Sequence, residues 1–126
     1  MKSLLAVAIG GALGSVLRYL LANGFNLIFP AIPPGTLAAN LIGAYLVGIA
    51  LAYFGAHQEL PPEWRLLVIT GFLGGLTTFS SFSGEVVQLL RQDRLAMACA
   101  SISLHLGGSL LLTFAGMATT SLLKSR

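Results

Sequence analysis

The sequence predicts an all-α integral membrane protein with four transmembrane helices, the third of them broken. Three observations carry this. Hydrophobic residues make up 56% of the 126 and charged residues only 9%, with a mean hydropathy of +0.86. Ordinary globular chains are about 45–50% apolar and about 25% charged. Four apolar stretches are each long enough to cross the roughly 30 Å hydrocarbon core, which takes about 20 helical residues. The third stretch is interrupted by a run of Gly, Thr and Ser.

The same composition excludes other classes. Disorder needs low hydrophobicity and high net charge. A disulfide scaffold needs paired cysteines, and Cys99 stands alone. A zinc site is poorly supplied by one Cys and two distant His, His57 and His105. The net charge of +3 comes from scattered residues with no Lys/Arg cluster, so nucleic acid is not an expected partner. No nucleophile–base pair, phosphate loop or paired acids suggests an enzyme. The expected partner is the lipid bilayer, and residues 1–126 read as one transmembrane domain.

The first span covers about residues 3–22 and holds one charge, Arg18. Lys2 before an apolar run resembles a secretory leader, but the segment is expected to stay as a span. The second covers about 36–56 without a charge, the third about 64–90, and the fourth about 95–123, again uncharged. Pro30, Pro33 and Pro34 end any helix in the first connector, and Pro61 and Pro62 do so in the second. Arg91 to Arg94 form the one charge-dense turn.

Four spans place Lys2, Arg65, Lys124 and Arg126 on one side, against Arg91 and Arg94 on the other, joined by Arg18 if it reaches that interface. Lys/Arg bias in short loops sets orientation, and here it is feeble. A fixed orientation with cytoplasmic termini and a chain that inserts both ways both stay open. A four-helix bundle fills its own centre. Transport would therefore favour an oligomer with the path at or near its interface, and closed dimers are the commonest choice.

Polar groups at membrane depth mark the candidate site. In span one, Ala6, Gly10 and Gly14 form a small-residue stripe that continues to Arg18. Arg18 either pairs with an acid or carbonyls or snorkels to the interface. Asn40 must find hydrogen-bond partners, either structurally between helices or as an NH₂ donor facing a polar path. In span three, Gly71, Gly74 and Gly75 precede Thr77 and Thr78, a density that argues against an unbroken helix. Such breaks free carbonyls that suit a hard cation and amides that suit an anion.

Phe79 and Phe82 follow at i, i+3 among Ser80, Ser81 and Ser83. Aromatic ring edges are electropositive and can meet an anion. Glu85 is the one acid well inside a span, which makes it a functional candidate or a solvated vestibule group. Ser101, His105, Ser109 and Thr113, each four apart, suggest a polar track in span four. The membrane-depth groups are mostly neutral donors, and acid rings are missing, so the balance leans toward a small anion.

These residues resemble the Fluc fluoride channels, also called CrcB proteins. The signals are Gly10-Gly11-x-x-Gly14-x-x-x-Arg18, then Pro34-Gly35-Thr36-Leu37-x-x-Asn40-x-x-Gly43. The strongest is Gly74-Gly75-Leu76-Thr77-Thr78-Phe79-Ser80-Ser81-Phe82-Ser83-x-Glu85, and Gly108-Ser109 completes the set. The resemblance implies an antiparallel dual-topology homodimer in the cell inner membrane, with two fluoride pores. It implies a structural Na⁺ at the dimer axis, held by backbone carbonyls of Gly74 and Thr77 from each subunit. Phe79 and Phe82 would line the pores, Asn40 would donate to fluoride, and Ser81, Ser109 and Thr113 would extend the polar track. Arg18 and Glu85 would sit toward pore mouths or vestibules. His105 falls where some relatives place another hydrogen-bonding residue.

The function so implied is passive fluoride export and fluoride resistance. Small multidrug exporters are the alternative, as four-span dual-topology dimers. They need a membrane acid in span one, where this chain offers Arg18, and they lack a break before Glu85. A third alternative is a membrane subunit that does not transport by itself.

Overall fold

The computed structural model describes residues 1–125, and every regular element within them is helical. Helix α1 (Lys2–Phe25) and a 3₁₀ turn (Asn26–Ile28) form the first span, and α2 (Pro34–Ala56) forms the second. The third span joins α3 (Pro62–Arg65), a π-helical segment (Leu66–Leu73), α4 (Gly74–Leu76) and α5 (Phe79–Arg91). The fourth joins α6 (Leu95–Ile102), a π-helical turn (Ser103–Gly107) and α7 (Gly108–Lys124). All four spans are apolar and at least 23 residues long, sufficient to cross a bilayer. Arg126, counted among the cations of one side, lies outside the described residues.

The span ends follow from local chemistry. Proline fixes φ and lacks a donor, so it suits a first helical turn, and Pro34 and Pro62 open α2 and α3. Glu63 and Arg65 sit in that short first turn. Helix α1 runs three residues beyond the expected end at 22. Asn23 and Gly24 are weak helix formers but do not break a helix. The C-cap of α1 is Asn26, whose Oδ1 accepts from the Thr36 N–H at 3.0 Å while its Nδ2 donates to Thr36 Oγ1 at 3.1 Å. The pair satisfies an orphan amide of the first turn of α2 and ties the first span to the second. At the far end, Asp93 takes φ 57° in the turn between α5 and α6, a left-handed conformation that Asp tolerates better than most residues.

Packing relies on close backbone approach. A Cβ on Gly14 would fall on the Phe72 carbonyl oxygen, and one on Gly75 would lie 2.6 Å from the Gly11 carbonyl oxygen. The small-residue stripe of span one therefore meets the glycines of span three. A second such seam joins α2 to α7: a Cβ on Gly48 would fall on the Thr113 carbonyl, and one on Gly116 on the Tyr45 carbonyl. Small residues are the usual means of helix association in lipid, where no hydrophobic effect drives helices together. Large side chains such as Leu13, Leu20, Leu111 and Phe114 are exposed instead. Lipid is a good solvent for them.

The interior holds two apolar clusters. Ala39, Ala50, Leu73 and Leu76 form one where the second and third spans meet. Val86, Leu89 and Ala98 form the other between α5 and α6, with Phe82 and Ala31 packed against it. The gap between these clusters is where the polar residues gather.

Gly14→Val is expected to abolish recovery of a monodisperse folded protein in detergent, because no flexible side chain can yield to the new carbon. Gly24→Ala should leave the melting temperature unchanged or raised. Nothing lies within 4 Å of its added Cβ, and alanine is favoured over glycine in a helix by about 1 kcal/mol. Thermal scans of both purified variants check the pair.

Candidate functional site

Helix α4 ends at Leu76. Thr77 (φ −87°, ψ 153°) and Thr78 (φ −146°, ψ 115°) are extended, and α5 begins at Phe79. Extended backbone at membrane depth needs other partners, and Asn40 of α2 supplies them. The Thr78 N–H donates to Asn40 Oδ1 at 2.7 Å, and Asn40 Nδ2 donates to the Thr78 carbonyl at 3.1 Å. In an uninterrupted helix that N–H would bond to the carbonyl of Gly74.

Thr78 also starts α5. Its Oγ1 accepts from the Ser81 N–H at 3.2 Å, a side-chain cap on the first turn. The same hydroxyl lies 3.2 Å from Ser81 Oγ and 3.3 Å from Ser80 Oγ. Thr77 Oγ1 bonds back to the Leu73 carbonyl at 2.8 Å, and its methyl fills the space left by Gly43. Arg18 Nε donates to the Gly75 carbonyl at 2.9 Å. Of the two readings of Arg18, the carbonyl pairing is the one present.

Asn40 Nδ2 has a second contact, His105 Nδ1 at 3.0 Å. His105 lies in the π-helical turn of span four, is only 4% exposed, and rests on Phe82 with ring centroids 4.7 Å apart. Its Nε2 is 3.9 Å from Glu85 Oε1, too far for a hydrogen bond. Both atoms are buried without a hydrogen-bond partner, as is Ser101 Oγ one turn earlier. Phe79 meets Phe82 edge to face at 5.7 Å and 64°. The Phe79 ring is 78% exposed.

A cavity of about 290 Å³ lies against this frame. Asn40, Thr77, Thr78, Phe79, Phe82, His105 and Ser109 line it, with Ala44 and Leu106. None of these is Asp, Glu, Lys or Arg. A separate polar hollow beside α5 is bordered by Glu85, Gln88, Gln92 and Arg94.

The structure thus brings Asn40, Phe79, Phe82, His105, Ser109 and Thr77 around one space. Ser81 and Thr113 are not on its wall. Thr113 Oγ1 lies 3.0 Å from both the Ala44 and Ser109 carbonyls, so its proton is engaged within the chain. Gly74, Arg18 and Glu85 are not on the wall either: Gly74 opens α4, Arg18 bonds to the Gly75 carbonyl, and Glu85 Oε1 lies 3.9 Å from His105 Nε2. Sequence reasoning missed Thr78 as the centre of the frame. A Thr between a glycine run and an apolar helical stretch is an N-cap candidate, which identifies it in retrospect. The π-helical turn that carries His105 has no comparable signal.

The model of the CrcB-like protein, Camphor Resistance (CrcB) family matches residues 5–117. A relative from Tolumonas auensis, named fluoride-specific ion channel FluC, is 62% identical over 122 residues, covering 97% of this chain and 96% of the relative. Proteins of the same name from Pseudomonas putida and Nitrosomonas europaea are 56% identical over 126 residues and 53% over 124. They cover 100% and 98% of this chain, and 99% and 98% of the relatives. These relatives carry the name of a channel and not of an enzyme. With the family's own model aligned along almost the whole membrane-spanning bundle, the chain belongs to the CrcB-like family.

Proposed function

We propose that this chain forms a passive, fluoride-selective channel that exports fluoride across the cell inner membrane and so confers fluoride resistance. The observation that carries the reading is the cavity wall: an amide, hydroxyls, an imidazole and two phenyl rings, with no Asp, Glu, Lys or Arg among the lining residues. Fluoride is small and strongly hydrated. Entry requires close donors in place of water, and exit requires that none of them hold the ion as a full cation would. Asn40 and Ser109 supply donors, and Phe79 and Phe82 supply positive ring edges. Ser81 and Thr113 extend the polar path beyond the cavity. Arg18 and Glu85 stand toward its mouths.

In this reading the working unit is an antiparallel dual-topology homodimer with two pores. Its support is the unfinished wall of the single chain. Phe79 borders the cavity yet is largely exposed, so a second copy would complete the enclosure. The weak Lys/Arg bias of the connectors is compatible with insertion in both orientations.

The interruption at Thr77 and Thr78 is, in this reading, the broken third helix, and it fits a central structural Na⁺. The Thr78 N–H is spent on Asn40 Oδ1, which leaves the Gly74 carbonyl without its helical donor. Carbonyl oxygens suit a hard cation. The Gly74 and Thr77 carbonyls of each chain would hold it. When bound, the ion would offset the partial negative charge of those carbonyl oxygens.

Proteoliposomes containing only this polypeptide should release fluoride to an electrode under a gradient, while chloride release stays at the lipid background. Absence of fluoride release, or equal chloride release, overturns the reading. Proton-driven uptake of a lipophilic cation would favour the exporter alternative instead.

Two substitutions test the assignments. Phe82→Ile should lower fluoride flux at least tenfold with the oligomer intact by gel filtration, because the aliphatic side chain has no positive edge. Asn40→Asp should abolish flux, because it replaces both amide donors with carboxylate oxygen on an anion path. Wild-type flux in either variant would remove that residue from the pore.

A further inference from the structure

The hydrogen bonds around Asn40 fix more than the backbone of span three. A backbone N–H can only donate, so the bond from the Thr78 N–H makes the facing Asn40 atom the carbonyl oxygen. The NH₂ group is thereby oriented, and it has two protons. One goes to the Thr78 carbonyl at 3.1 Å and the other to His105 Nδ1 at 3.0 Å. His105 Nδ1 is then an acceptor and carries no proton. In the neutral ring the proton is on Nε2, the atom that faces Glu85 Oε1 without bonding to it. Asn40 therefore has no free donor in the empty cavity.

An anion that binds Asn40 must take one of these two protons. Displacing the Thr78 carbonyl would undo half of the pair that holds the extended segment. Displacing His105 Nδ1 leaves that pair whole. The imidazole is buried and packed at a 35° tilt against the Phe82 ring, and it lines the same cavity as Asn40. We propose that His105 is a positioning residue whose Nδ1 holds the second Asn40 amide proton while the site is empty and yields it to the entering halide. The proposal rests on the fluoride-channel reading. It adds that anion binding is an exchange of one acceptor for another at a single amide hydrogen.

The first test observes the nitrogen itself. The chain has two histidines, and His57 is distant, bonded to the Tyr53 carbonyl and stacked on Tyr53. Imidazole-¹⁵N-labelled protein, with His57→Gln to assign the signals, should show an unprotonated Nδ1 and a protonated Nε2 for His105. Sodium fluoride should move the Nδ1 resonance in a saturable way toward that of a nitrogen without a hydrogen bond, and sodium chloride should not. A protonated Nδ1, or an Nδ1 signal indifferent to saturating fluoride, overturns the proposal.

The second test uses flux. Asparagine places an acceptor oxygen near the position of Nδ1, whereas leucine places none. His105→Asn should keep the half-saturating fluoride concentration within twofold of wild type. His105→Leu should lower it severalfold, because no bond has to be displaced. Equal behaviour of the two variants, or an unchanged or raised value in His105→Leu, overturns the proposal. Wild-type liposomes separate the two levels of the argument. If they release no fluoride, the channel reading fails. If they do and Nδ1 does not respond, the displacement alone fails.

Discussion

The reciprocal pair between the Asn40 amide and the Thr78 backbone is the interaction on which the rest of the site depends. An extended dipeptide at membrane depth frees backbone groups from helical partners, and each one left unsatisfied in an apolar bundle costs several kcal/mol. Asn40 presents an acceptor and a donor in the plane and at the spacing that a neighbouring strand would offer. A hydroxyl could serve one of the two groups. A carboxylate could accept from the N–H but would face the carbonyl as a second acceptor. The requirement for both halves explains why an amide, of all polar side chains, occupies this depth of an otherwise uncharged helix.

The interruption also needs support from outside the pair. Glycines let α1 lie against the third span so closely that added carbons would strike backbone atoms. That proximity lets Arg18, one turn beyond Gly14 on the same stripe, reach the Gly75 carbonyl at 2.9 Å. Hydrogen bonds to charged groups contribute about 1.5–3 kcal/mol, and the guanidinium faces oxygen instead of lipid. A stripe of small residues and a cation thus form one device: close packing on one side of the break and neutralisation of a carbonyl at its edge. Thr78 does the corresponding work on the other side by capping α5.

Much of this was legible in the sequence because composition and punctuation are local. The four spans and the Gly-Thr run at the interruption needed no knowledge of tertiary contacts, although Pro34 and Pro62, read as helix terminators, open α2 and α3 two residues before the expected starts. Phe79 and Phe82 share a face because i, i+3 residues always do. The contact between Asn40 and Thr78 was not legible, since the two are 38 residues apart and either of two readings suited Asn40. The structure shows the interhelical bond, and it shows why that bond does not exclude a role toward an anion: the second proton ends on a side chain rather than on the backbone. The extent of α1 beyond residue 22 was missed because Asn23 and Gly24 do not break the helix, whose C-cap is Asn26, the residue whose side chain clasps Thr36. The polar stripe of span four was real as a spacing but divided in space. Ser109 and His105 reach the cavity, while Thr113 faces carbonyls of its own helix and of α2.

The arrangement bears on how a small anion can be selected without being held. A full charge 4 Å from an ion is worth about 4 kcal/mol at an effective dielectric of 20. Since every 1.4 kcal/mol or so is tenfold in a rate, such a contact would lengthen the ion's stay nearly a thousandfold. The Arg18 guanidinium is engaged with the Gly75 carbonyl and does not line the cavity. The carboxylate of Glu85 is set behind His105. What remains on the wall includes the Asn40 amide, whose two protons are already bonded to the Thr78 carbonyl and to His105 Nδ1. An ion that arrives gains only the difference between its own hydrogen bond and the one it replaces, and an ion that leaves returns the proton to a waiting nitrogen. Binding is thereby kept shallow for any anion, while a strongly hydrogen-bonding one gains the most from the exchange. At Asn40, shallow binding and ready release would rest on one property, the presence of an internal partner for each amide proton in the empty state.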